Sequence, residues 1–102
     1  MKLPPIYTEA LVCYDIQSDK KRKEMAEALK DIGLIHIQHS VFWGYTTLAN
    51  RKSIINLFKT LLDSTTDKAF LLPGKARACI LSENGFGYTK ELLPEYSDYG
   101  TL

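Results

Sequence analysis

The chain has 102 residues, a formal net charge of +1, 45% hydrophobic and 25% charged residues. This describes one globular domain with a modest core, which oligomerisation would help to stabilise. No apolar stretch approaches the ~20 residues needed to cross a bilayer as a helix, and Met1-Lys2-Leu3-Pro4-Pro5 lacks the apolar region of a secretion signal, so a cytoplasmic location is expected.

The charge is unevenly spread. Up to residue 82 there are twelve basic and eight acidic residues, and after it one basic and four acidic, so a basic body carries an acidic tail. Cys13 and Cys79 fall in apolar strand candidates without zinc-type spacing and are expected to be buried free thiols.

Residues 1–8 read as a Pro-containing lead-in. Ala10-Leu11-Val12-Cys13-Tyr14 is an unbroken apolar run too short for an isolated helix, which predicts a strand over about 9–16 buried on both faces. Asp15 then stands at its carboxyl end. Side chains alternate along a strand, so Leu11, Cys13 and Asp15 share one face and Val12 and Tyr14 the other.

Arg22, Met25, Ala26, Leu29 and Ile32 recur at helical spacing and predict a helix over about 19–32, capped by Ser18 or Asp19 and ended by Gly33. Lys20-Lys21-Arg22-Lys23 crowds four cations into its first turns, where the helix dipole is already positive. Beside a strand-end carboxylate, that arrangement suits a phosphodiester.

Leu34 to Tyr45 is rich in strand formers, long enough for one bent strand or for a hairpin breaking near Gln38 to Ser40. Ile54, Ile55, Phe58, Leu61 and Leu62 predict a second helix starting at Asn50, with Arg51 and Lys52 near its start. Lys68–Leu72 and Lys75–Ser82 read as strands joined by a Pro73-Gly74 turn. Residues 83–102 form a Tyr-rich acidic tail suited to docking a partner protein.

The order β, α, β, β, α, β with an extra C-terminal strand is that of a ferredoxin-like α+β sandwich over residues 9–82, with two helices on one face of an antiparallel sheet. The other face, carrying Leu11, Cys13 and Phe42, is too apolar for water. A two-fold homodimer packed sheet to sheet is therefore expected. It would also bring two Asp15 carboxylates together, because one Asp plus waters is a weak ligand set for Mg2+ or Mn2+.

Cys13-Tyr14-Asp15-Ile16, the basic helix start with Arg22, and Gly33-Leu34-Ile35-His36-Ile37-Gln38-His39-Ser40-Val41-Phe42 resemble the CRISPR-associated Cas two family over about residues 9–82. The resemblance implies a ferredoxin-like homodimer that acts in spacer acquisition, bridging subunits of the Cas one integrase and lying along duplex DNA. For several relatives it also implies metal-dependent endonuclease activity on RNA or double-stranded DNA. Asp15 would bind the shared metal, and Tyr14, Arg22 and Phe42 stand at other positions tied to activity. Lys20, Lys21, Arg22, Lys23, Arg51, Lys52, Lys75 and Arg77 form the expected nucleic-acid-binding set.

Two positions depart from the family pattern. Glu24 replaces an Arg, with Lys23 adjacent, and His36 stands where a guanidinium would offer a two-pronged grip. His36 and His39 lie three apart on a strand and cannot chelate together, and Ser40 has no base on its face nearer than His36. The alternative readings are a toxin-like ribonuclease related to virulence-associated protein D and, from another class, a small-molecule-sensing ferredoxin-like regulator.

Overall fold

The computed structural model describes residues 6–96. Its elements are β1 (Thr8–Asp15), α1 (Asp19–Ile32), β2 (Ile35–Gln38), β3 (Val41–Thr46), α2 (Leu48–Leu61), β4 (Lys68–Pro73) and α3 (Ala76–Ile80). The strands form one antiparallel sheet in the order β2-β3-β1-β4, the ferredoxin-like arrangement the element order predicts. Among the described residues no helix is long and apolar enough to cross a membrane.

Local chemistry sets the boundaries. The Ser18 hydroxyl accepts the Lys21 N–H at 3.3 Å, and Gly33 closes α1 at φ 111°, in the left-handed region that suits glycine. Helix α2 starts two residues before Asn50, because Thr47 and Asn50 bond reciprocally through side chain and backbone.

The stretch from Leu34 to Tyr45 is a hairpin. It turns at His39-Ser40, with Ser40 at φ 63° and a register irregularity between His36 and Gln38. The Ser40 carbonyl accepts the Tyr14 N–H at 3.1 Å, tying the turn to the end of β1.

Helices α1 and α2 cover one sheet face over a core of Val12, Tyr14, Ile16, Met25, Leu29, Leu34, Phe42 and Ile54. Phe42 belongs to this face, not to that of Leu11 and Cys13. Cross-strand partners point the same way, and the register pairs Phe42 with Val12 and Trp43 with Leu11.

The second face is covered in part by the chain itself. Trp43, Tyr45 and Leu93 are buried there, packed by Tyr7, Leu11, Ile35, Ile37, Ala76, Ile80, Leu81, Tyr88 and Tyr96. No extra strand forms over Lys75–Ser82. After Gly74 the chain turns into α3, whose Ala-rich start favours a helix and whose Arg77 N–H is taken by the Glu9 carboxylate at 2.7 Å. The same carboxylate accepts the Trp43 indole N–H at 2.9 Å, so one side chain pins α3 to the sheet.

The tail returns over the sheet through bonds from the Tyr45 hydroxyl to the Pro94 carbonyl and from the Tyr88 hydroxyl to Gln38. Residues 97–102 of the expected tail and 1–5 of the expected lead-in lie outside the described residues. Phe70 and Leu72 on β4 remain 56% exposed. Neither thiol is fully buried: Cys13 is half-buried and Cys79 exposed on α3.

Leu29, fully buried between α1 and the sheet, is expected to cost about 2–5 kcal/mol when replaced by Ala. Urea unfolding followed by circular dichroism measures this as a lower midpoint at unchanged slope.

Candidate active site

Strand β1 is central and ends in the open. Asp15, its last residue, is exposed and lies opposite Lys68 of β4 in the antiparallel register. Among the described residues its carboxylate makes no hydrogen bond or ion pair. It shares its face with Cys13 and Phe70, the face opposite α1 and α2.

Tyr14 and Phe42 lie on the opposite, helix-covered face. Their rings stack with centroids 6.3 Å apart, and Phe42 stacks in turn on His36 at 4.3 Å with the planes nearly parallel. Phe42 has no exposed surface, so within this chain it can touch no ligand. Burial pushes the Tyr14 phenol upward, with the nearby Arg22 charge opposing, and burial pushes His36 downward, reinforced by Lys30 and His39.

Arg22 turns back onto the junction between β1 and α1. Its guanidinium donates to the carbonyls of Ile16 at 2.8 Å and Gln17 at 3.4 Å, and pairs with Asp19. Its charge therefore braces the bend as much as it faces solvent. Lys21 is half-buried and lies close enough to Asp63 and Asp67 to favour their ionised forms. Lys20 and Lys23 are exposed in the first turns of α1.

The remaining cations of the expected set are elsewhere. Arg51 donates to the carbonyl and hydroxyl of Thr46 at 2.9 and 3.0 Å, and Thr46 pairs with Thr8 at the start of β1. With Asp15 at the far end of that eight-residue strand, the two places are about 23 Å apart. Lys52 follows Arg51 on α2. Lys75 and Arg77 also sit at the far end, where Pro73 pairs with Ala10, and the Arg77 side chain donates its Nε–H to the Leu93 carbonyl while its backbone N–H goes to Glu9. Lys20, Lys21, Arg22 and Lys23 thus stay together in the first turns of α1, which begins four residues after Asp15, while the other four lie toward the opposite end of β1.

Sequence reasoning missed Asp67. Its carboxylate is buried and accepts the N–H groups of Gln17 and Asp63, each at 3.0 Å. The only available signal is a pair of Asp residues four apart in the turn after α2.

Among the described residues, no three His, Cys, Asp or Glu side chains cluster to hold a metal ion. Asp15 fits the role of one ligand in a set completed from outside the chain, since it is exposed and its oxygens are uncommitted.

A four-stranded sheet backed by two helices, whose central strand ends in an open carboxylate and runs through a short bend into a cationic helix start, defines a small ferredoxin-like protein built around a strand-end Asp. The sequence model of the family described as CRISPR associated protein Cas2 matches residues 9–79, and the chain belongs to that family. The CRISPR-associated endoribonuclease Cas2 1 of Francisella tularensis subsp. novicida is 34% identical over 94 residues, covering 92% of this chain and 95% of the relative. The CRISPR-associated endoribonuclease Cas2 of Desulforudis audaxviator is 34% identical over 65 residues, 64% of this chain and 61% of that one.

Among solved structures, Cas2 of Streptococcus pyogenes has the same fold, with a TM-score of 0.62 at 24% identity over 74% of this chain and 95% of that chain. A hypothetical protein from Thermus thermophilus aligns with a TM-score of 0.59 at 28% identity, over 68% and 83%.

The burial of Phe42 and the bonding of Asp67 each carry a measurable outcome. Phe42→Ala should lose about 3–5 kcal/mol of stability, whereas Phe42→Leu should lose less than half as much, measured by denaturant unfolding before any activity is compared. Backbone N–H groups of Asp63 and Gln17 hold the Asp67 carboxyl below the usual carboxylate range. A group depressed in this way adds stability above the unfolded value of about 3.9, which is lost as pH falls through the folded value. Asp67→Asn should therefore melt below wild type at neutral pH, with the gap closing as pH drops below about 4.

Proposed function

We propose that this chain acts as a cytoplasmic homodimer in a CRISPR system, binding nucleic acid through the first turns of α1 and hydrolysing RNA phosphodiesters at a site where two Asp15 carboxylates meet. The observation that carries the reading is the exposed Asp15 carboxylate, uncommitted among the described residues, at the strand end that leads through Ile16-Gln17-Ser18 into the Lys20 to Lys23 run of α1, and the relatives named endoribonuclease support it. The exposed Phe70 and Leu72, on the same sheet face as Asp15, supply apolar surface for a second subunit to cover.

The two Asp15 side chains would hold Mg2+ or Mn2+, and such an ion, when bound, polarises a phosphoryl oxygen and lowers the pKa of water. Lys20 and Lys23 grip flanking phosphates as point charges. Arg22 keeps the bend rigid by holding the Ile16 and Gln17 carbonyls. Tyr14 and Phe42 act by packing, setting the direction in which the strand end presents Asp15.

A second reading, favoured by the resemblance and by the acidic tail, places the same dimer in spacer acquisition, lying along duplex DNA and bridging Cas one integrase subunits. Phe86, 97% exposed between Gly85 and Gly87, is an apolar anchor suited to such a contact.

Cleavage of RNA and of duplex DNA by the purified protein with Mg2+ or Mn2+ tests the first reading. Asp15→Asn should cut at least ~100-fold more slowly, the order expected when a charge-stabilising group is lost, while still binding duplex. Cutting that persists in that variant would remove the reading. Lys20→Glu with Lys23→Glu, which spares the structural Arg22, should weaken duplex binding more than tenfold and lower its salt dependence by about two phosphate contacts.

A further inference from the structure

The turn between α2 and β4 and the bend between β1 and α1 are 50 residues apart in the chain, yet one carboxylate joins them. Asp67 is 6% exposed. Its Oδ1 accepts the Gln17 N–H at 3.0 Å and, at 3.4 Å, the Thr66 hydroxyl, and its Oδ2 accepts the Asp63 N–H at 3.0 Å. The bend it grips, Ile16-Gln17, lies between the last residue of β1 and the Ser18 cap of α1.

That bend has no ladder to hold it. The Ile16 carbonyl and both backbone groups of Gln17 are taken by side chains, with Arg22 on the two carbonyls and Asp67 on the N–H. Remove either side chain and a backbone group loses its partner next to the strand end.

Asp67 also leads directly into Lys68, the cross-strand partner of Asp15. The carboxylate therefore ties the continuation of β1 to the start of β4 just beyond their last paired residues, while Arg22 holds the carbonyls of the same bend.

We propose that Asp67 is a positioning residue of the Asp15 site: by holding the Gln17 N–H it fixes the bend that aims the Asp15 carboxylate and the cationic start of α1 at a shared phosphodiester. This rests on the function proposed above. A carboxylate is required because two N–H donors converge on two oxygens. Asn offers one acceptor oxygen and sets an NH2 group against the other donor, and Ala offers none.

Groups that orient a metal ligand without touching the metal typically change affinity or activity by 10–100-fold when removed. The full-length protein and its Asp67→Asn variant are compared in three measurements: amide hydrogen exchange, direct Mn2+ binding by electron paramagnetic resonance of the unbound ion, and RNA cleavage as a function of Mn2+. The folded variant should keep its β1 and β3 amides protected and exchange the Gln17 amide at least tenfold faster. Its half-saturating Mn2+ should rise about 10–100-fold, in both binding and cleavage, with the KM for RNA little changed.

A purely structural role would lower thermal stability without moving the Mn2+ dependence of the folded protein, and that result overturns the proposal. Unchanged Gln17 exchange overturns it too, even with wild-type activity intact. Wild-type protein that neither binds Mn2+ nor cuts RNA instead refutes the site reading itself, and the positioning role with it. Should Asp67→Asn fail to fold, Asp67→Ser, whose single hydroxyl cannot accept from both N–H groups, is judged by the same criteria.

Discussion

Strand β1 is hydrogen-bonded along both edges, to β3 on one side and β4 on the other, and the rest of the molecule is arranged by that double pairing. A strand fixed on both sides cannot slip its register without turning every side chain to the wrong face. Val12 and Tyr14 are therefore committed to the helix-covered core, and Leu11, Cys13 and Asp15 to the opposite face. The last pair, Asp15 with Lys68, sets a carboxylate at the point where the sheet gives out.

Beyond the strand end the backbone is held by side chains alone. Arg22 and Asp67 approach the Ile16-Gln17 bend with opposite charges, one taking carbonyls and the other an N–H. They reach it from different elements, so the bend couples the start of α1 to the start of β4. The strand end with its uncommitted carboxylate and the exposed cations that open α1 are thereby held at a fixed angle to each other.

Features governed by short-range rules are legible in the sequence. The apolar run ending in Asp15, the Ser18 and Gly33 caps and the stripe of α2 each obey a local period, and from them come the element order and the ferredoxin-like class. The face of Phe42 is not legible, because a run of strand formers such as Val41-Phe42-Trp43 has no polar partner to mark which face is which; only the pairing with Val12 decides it. Lys75–Ser82 has apolar residues that suit strand or helix equally, and the deciding contact, Glu9 to the Arg77 N–H, spans 68 residues. Asp67 is invisible for the same reason. The cationic set is half legible: Lys20 to Lys23 stay together because they are neighbours in sequence, while Arg51 and Arg77 are drawn to the far end of the sheet by partners that no local pattern names.

Strand β4 has a neighbour on one side only, so among the described residues its outer edge offers unpaired backbone groups next to the exposed Phe70 and Leu72. An edge of this kind invites runaway strand addition by further copies. Here the hazard is bracketed: Lys68 opens the strand with a charge, and Pro73 closes it with a residue that has no N–H to give. Only the four residues between them can template another chain, which leaves room for one short, finite pairing and discourages an open-ended fibre.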